Sequence, residues 1–185
     1  MGPTKLVGDY VDTNYPGKLK NPGVGYDEPQ KIAQRINDAL TANPAEPINL
    51  IGHSYGASTA AQLASTINAP INQLILIDPV GRGSVGDFRS NVQTLITVTA
   101  NPSSPNLTDA IASAGGKGAG LPVDKAGSSY SVDTNHNDFQ GLMKAPGPNG
   151  LSAEQILSQY GGTFGFAPAG NQSLTGFNPP PPAKR

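Results

Sequence analysis

The chain contains no cysteine and little charge. Without cysteine, disulfide bonds, thiolate nucleophiles and cysteine-ligated zinc are all excluded. Charged residues make up only 14% of the 185 residues and the net charge is −1, so nothing in the charge favours binding to nucleic acid or to an anionic membrane surface. The two histidines and the scattered carboxylates lack metal-ligand spacing, and we therefore predict neither a metal nor a cofactor.

Long apolar runs are also absent. No stretch approaches the roughly 18 apolar residues of a transmembrane helix, so none is predicted. The first five residues, Met1 to Lys5, lack the apolar core of a signal peptide, so we expect no signal peptide in this chain. Its location therefore stays open between the cytoplasm and secretion as part of a larger polypeptide.

Glycine and proline, by contrast, are abundant, with 23 and 18 residues. They predict long loops in an otherwise compact chain. The length predicts one domain, which we place at residues 1–177. A tail at residues 178–185 follows, whose four consecutive prolines can form neither a helix nor a central strand.

Strand-like and helix-like segments alternate along the chain. Strands are predicted at residues 6–11, 48–51, 71–77 and 92–99, with a short last strand at 130–132. Helices are predicted at residues 29–40, 55–67, 139–144 and 152–160, and a short one near 108–114 within a Ser/Gly/Pro-rich loop at 102–127. This alternation predicts an α/β fold, a three-layer sandwich around a mostly parallel sheet.

The segment Gly52-His53-Ser54-Tyr55-Gly56 carries the clearest chemical signal. A Gly-x-Ser-x-Gly motif between a strand and a helix is typical of a nucleophile elbow, a strained turn that exposes the serine hydroxyl. We predict Ser54 as the nucleophile and the Tyr55 N–H as an oxyanion donor, and we expect both glycines to allow close strand–helix approach. The alternative is a tight turn that carries the motif by chance.

A serine hydroxyl needs a base, and the chain offers two histidines. His53 lies inside the elbow, where its side chain points away from that of Ser54. We therefore predict His136, which follows the last predicted strand, as the base. A solvated loop histidine is the alternative for this residue.

Several aspartates are candidates for the acid that orients the histidine. Asp78 ends the strand that follows the nucleophile strand, so it lies at the same sheet edge as Ser54. Asp109 follows the next strand, where many hydrolases place the acid, but it lies within the long loop. Asp124 and Asp133 also precede His136. We favour Asp78 over Asp109, because a strand end fixes geometry better than a long loop does.

Taken together, these segments resemble the α/β-hydrolase superfamily, especially small bacterial lipases and esterases. Residues 48–60 resemble its strand–elbow–helix, residues 74–79 resemble the placement of the acid in pancreatic-lipase-type enzymes, and residues 136–139 resemble its histidine loop. The resemblance covers residues 5–140 and implies a minimal hydrolase fold with a Ser-His-Asp triad that cleaves carboxylic esters.

One departure from that family concerns the second oxyanion donor, which usually follows a further strand upstream. Only one predicted helix lies between the strand at 6–11 and the nucleophile strand. Either residues 6–11 serve as that strand, with the donor in residues 11–15, or the strand is absent and the chain is a fragment of a longer polypeptide.

The predicted substrate is a small-molecule or lipid ester, with a thioester as a further option. Leu107, Ile111, Leu121, Leu142 and Met143 are equally good candidates for the wall of an apolar mouth and for the core. Residues 115–120 are rich in glycine but lack the Gly-Lys-Ser/Thr ending of a phosphate loop. The competing hypothesis is a non-catalytic hydrolase-fold module that acts in binding within a larger secreted or effector-like protein.

Overall fold

Four parallel strands form the centre of the part of the chain that the structure describes. The computed structural model describes residues 3–15, 29–45, 47–67, 69–81, 91–118 and 129–160. Its strands are β1 (Ile48–His53), β2 (Ile71–Ile77), β3 (Val92–Ala100) and β4 (Ser129–Val132), hydrogen-bonded in the order β1-β2-β3-β4. The predicted parallel sheet is therefore confirmed.

Six helices accompany these strands within the described ranges. They are α1 (Pro3–Asn14), α2 (Pro29–Ala42), α3 (Tyr55–Thr66), α4 (Leu107–Ala114), α5 (Phe139–Lys144) and α6 (Ala153–Tyr160). A capping box precedes α6, since Gln155 N–H donates to Ser152 Oγ and Ser152 N–H donates to Gln155 Oε1. None of the described helices is long and apolar enough to cross a membrane.

Helices cover both faces of the sheet, which gives the predicted three layers. Leu74 and Leu76 of β2 belong to a core shared with α2 and α3, whereas Ile75 and Ile77 face a second core shared with α1, α5 and α6. Adjacent residues of a strand point to opposite faces, so the continuous apolar run of β2 is what a doubly covered strand requires. All four side chains are fully buried.

The predicted strand at residues 6–11 is wrong, because these residues lie in α1. At helical spacing, Leu6, Val7, Tyr10 and Val11 share one face, and that face packs on the second core, with Tyr10 only 4% exposed. Tyr10 also donates to Glu154 of α6. The segment is too short for its apolar pattern to distinguish a helix from a strand, so packing against the second core decides its conformation.

This correction removes the upstream strand proposed for the second oxyanion donor. Residues 11–14 form the last turn of α1, so no strand–loop junction exists there. Within the described ranges, β1 is the first strand of the chain. The predicted tail at 178–185, together with Leu121 and Asp124, lies outside the described residues.

Candidate active site

Ser54 forms the whole turn between β1 and α3. Its backbone angles are φ 58° and ψ −129°, a conformation that residues with side chains rarely adopt. Hydrogen bonds to the end of β2 and to the segment after it hold Ser54 there: Ser54 N–H donates to Ile77 O at 3.0 Å, and Ser54 O accepts from Val80 N–H at 3.1 Å. The elbow is thus fixed by neighbouring backbone rather than by its own preference.

The two elbow glycines differ in what they do. A Cβ on Gly52 would lie 2.3 Å from Gly56 O and 2.5 Å from the Cα of Ala57, so the approach of β1 to α3 requires glycine at position 52. A Cβ on Gly56 would meet nothing within 4 Å. The expected steric role is therefore confirmed for Gly52 and wrong for Gly56.

His136 lies between the elbow and Asp78. Its Nε2 is 3.0 Å from Ser54 Oγ and its Nδ1 is 2.6 Å from Asp78 Oδ2. A carboxylate only accepts, so Nδ1 carries the proton and Nε2 is left to accept from the Ser54 hydroxyl. All three side chains are buried, which strengthens their mutual electrostatic interaction.

Asp78 takes its position directly after β2, at a φ of 38°. Its N–H donates to Val98 O at 2.6 Å, and its Oδ1 accepts the Ala100 N–H at 2.9 Å, so β3 fixes the carboxylate. Lys117 Nζ lies 3.2 Å from the same Oδ1. These donors compensate for the complete burial of the carboxylate.

Asp109, the other candidate acid, has a different place. Its Oδ1 accepts the backbone N–H of His136 at 2.7 Å, and its Oδ2 accepts the N–H of Asn106 as part of the capping box of α4. Burial by itself raises the pKa of Asp109, but the N–H groups of Asn106 and His136 and the charge of Lys117 lower that pKa below its ordinary value. Asp109 therefore holds the histidine loop, and Asp78 holds the ring. Asp133 instead accepts from the N–H of Ser103.

The role of His53 was missed by sequence reasoning. Its ring is 2% exposed, stacks at 4.9 Å on the ring of His136, and holds the His136 carbonyl oxygen at 2.8 Å from Nε2. Because a carbonyl only accepts, His53 Nε2 carries the proton, and His53 Nδ1 has no hydrogen-bond partner among the described residues. Burial lowers the pKa of His53 to about 4, so the ring is neutral at ordinary pH.

The apolar side chains predicted to line either a substrate mouth or the core fall into two groups. Leu142 and Met143 are fully buried in the second core, whereas Leu107 and Ile111 are 75% and 62% exposed on α4. Tyr55, directly after Ser54, is 44% exposed, and its hydroxyl lies 3.5 Å from the carbonyl of Gly115 at the end of α4. In the described part of the chain, no group of three or more His, Asp or Glu side chains is placed to hold a metal ion.

Comparison with known proteins bears on the fold. A protein-family model described as the alpha/beta hydrolase fold matches residues 19–114, slightly more than half of the chain. The matched region includes the elbow, Asp78 and Asp109, while His136 lies beyond it. Searches of curated proteins and of solved structures give no significant match.

The glycine geometry predicts unequal effects of alanine at the two elbow positions. Gly52→Ala forces backbone atoms apart and should lower the free energy of unfolding by at least about 2 kcal/mol. Gly56→Ala adds a methyl group to open space in a helix and should change that free energy by less than about 1 kcal/mol. Urea denaturation of both variants measures the difference, and equal losses would contradict this account of the elbow.

The buried His53 predicts a pH-dependent loss of stability. The unfolded chain protonates this histidine near pH 6.5 and the folded protein only near pH 4, so its contribution is complete above pH 6.5 and is lost as pH falls to 4. The stability advantage of the wild type over His53→Gln should therefore shrink by about 2 to 3 kcal/mol between pH 7 and pH 4. Urea titrations across this range test it, and a constant advantage would exclude the effect.

Proposed function

The chain belongs to the α/β-hydrolase fold family, and from that premise we propose that it is a serine hydrolase that cleaves carboxylic esters. One observation supports this function most directly: a continuous line of hydrogen bonds runs from Asp78 through His136 to Ser54. The order of the polar atoms matches the requirements of nucleophilic acyl transfer, with an acceptor at the serine hydroxyl and a carboxylate behind the ring.

In the proposed reaction, the Ser54 hydroxyl attacks the carbonyl carbon of the ester. His136 Nε2 takes the hydroxyl proton as the bond between Ser54 Oγ and the carbonyl carbon forms, and Asp78 stabilises the resulting imidazolium through Nδ1. The imidazolium then returns the proton to the leaving alcohol as the ester bond breaks, which leaves an acyl-enzyme. Water, activated by the same histidine, releases the acid and restores Ser54.

Negative charge on the carbonyl oxygen needs donors that are already in place. The N-terminus of α3 begins directly after Ser54, and we propose the Tyr55 N–H there as one donor. The aligned peptide dipoles of α3 add to the stabilisation at that end. We assign no residue to the second donor.

The exposed apolar side chains favour an ester with an apolar acyl group. Leu107 and Ile111 lie one turn apart on α4. Gly115 follows one turn later at the end of this helix, and its carbonyl oxygen lies 3.5 Å from the hydroxyl of Tyr55, the residue after Ser54. Tyr55, Leu107 and Ile111 are the large apolar side chains that remain exposed in the described part of the chain. A lipase- or esterase-like substrate therefore fits better than a small polar ester.

Removal of the nucleophile tests the reaction. Ser54→Ala should lower the kcat for p-nitrophenyl butyrate by at least about a thousandfold, because no other hydroxyl of the described residues is hydrogen-bonded to His136 Nε2. Asp78→Asn should lower it by at least about a hundredfold. Ser65→Ala, in the helix α3 that follows Ser54, is the control and should keep wild-type rates. A fluorophosphonate probe should label the wild type and spare Ser54→Ala. A folded wild type that neither hydrolyses esters nor takes up the probe would favour the non-catalytic binding module.

The acyl-group preference is tested on α4. Replacing Leu107 and Ile111 together by serine should lower kcat/KM for p-nitrophenyl octanoate by about thirtyfold relative to p-nitrophenyl acetate, since each lost apolar contact is worth about 1 kcal/mol when partly buried. Ala110→Ser, on the exposed surface of the same helix, should leave the ratio unchanged. An unchanged ratio in the double variant would remove α4 from the acyl site.

A further inference from the structure

The turn Gly116-Lys117-Gly118 has no part in the reaction steps above, yet hydrogen bonds hold it against the segment that follows Asp78. Gly81 N–H donates to Gly116 O at 3.1 Å, Gly118 N–H donates to Pro79 O at 2.7 Å, and Val80 pairs with Lys117 in an antiparallel bridge. Both glycines have positive φ, 87° and 67°, which residues with side chains adopt at a cost. The backbone of this turn is thus hydrogen-bonded to the three residues that follow Asp78.

This conformation returns the lysine side chain to the triad. Lys117 Nζ lies 3.2 Å from Asp78 Oδ1 and donates to the carbonyl oxygen of Ala100, whose N–H donates to the same Oδ1. The Lys117 side chain is 19% exposed and that of Asp78 is fully buried. The pair is therefore shielded from the screening that makes surface ion pairs weak.

We propose that Lys117 is a positioning residue that orients Asp78 and opposes protonation of His136. With Oδ1 occupied by Lys117 and Ala100, only Oδ2 faces His136 Nδ1. The ammonium group also offsets part of the negative charge that Asp78 presents to the ring of His136. This role presupposes the serine-hydrolase function proposed above.

Asp78, Asp109 and His53 contact His136 in the described structure, and Lys117 contacts Asp78. Asp78, directly after β2, lies against Nδ1 of the His136 ring, and Asp109, in α4, accepts from the His136 backbone N–H. His53, at the end of β1, stacks on the ring and is neutral above about pH 4. Lys117 is the cation among these four residues, so its removal should leave a more negative electrostatic environment around His136.

Charge and hydrogen bonding can be separated by substitution. Lys117→Met removes both, Lys117→Gln keeps a donor for Ala100 O but removes the charge, and Lys117→Arg keeps the charge. We expect the acid limb of the kcat/KM profile for p-nitrophenyl butyrate to move up by roughly half to one pH unit in the Met and Gln variants. The Arg variant should stay near the wild type. Lys144→Met, an exposed lysine in α5, is the matched control.

The pH dependence of fluorophosphonate labelling gives the same comparison without substrate turnover, and circular dichroism confirms that each variant is folded. A uniform loss of rate at every pH, with the acid limb in place in both neutral variants, would overturn the electrostatic role. Recovery by Gln to wild-type behaviour would also overturn it, because a hydrogen bond alone would then suffice. Failure of the wild type to hydrolyse or to label would instead count against the serine-hydrolase function itself.

Discussion

The parallel register of β1, β2 and β3 decides where each group of the site lies. His53 at the end of β1 pairs with Ile77 at the end of β2, and Ile77 pairs with Val98 of β3. The next residue along each of the first two strands, Ser54 and Asp78, therefore emerges at the same edge of the sheet. A shift of one residue would turn one of these side chains toward the opposite face. Side chains of β2 point alternately into the two cores on either face of the sheet, and this packing excludes such a shift.

Strain at that edge is compensated by long-range contacts. Ser54 and Asp78 are the non-glycine residues with positive φ in the described structure, and each is held by backbone hydrogen bonds to the neighbouring strand or its end. Residues in such conformations persist only where their surroundings determine them. The histidine loop is held in the same way, since the backbone of His136 is bound on one side by Asp109 and on the other by His53. Contacts from other segments of the chain therefore fix Ser54, Asp78 and His136 relative to one another.

Sequence reasoning succeeded where local pattern and burial agree. The apolar run of β2 fixes both its strand and the place of Asp78, and the glycines and flanks of the elbow mark Ser54. It failed at residues 6–11, where a short apolar segment fits a strand as well as a helix and the packing of Tyr10 against Phe139 decides. The catalytic roles of Ser54, His136 and Asp78 stay predictions, although the structure brings the three side chains together.

The contributions of Asp109, His53 and Lys117 could not be read from sequence for one common reason. Each acts on a residue far along the chain, and only the meeting of loops at one sheet edge brings the partners together. A buried carboxylate such as Asp78 is costly unless its oxygens are matched by donors. Here one oxygen is matched by a backbone N–H and a cation and the other by the histidine. The Gly-rich turn that gives no recognisable motif is thus the segment that supplies the cation, and glycine suits it because residues 116 and 118 both have positive φ.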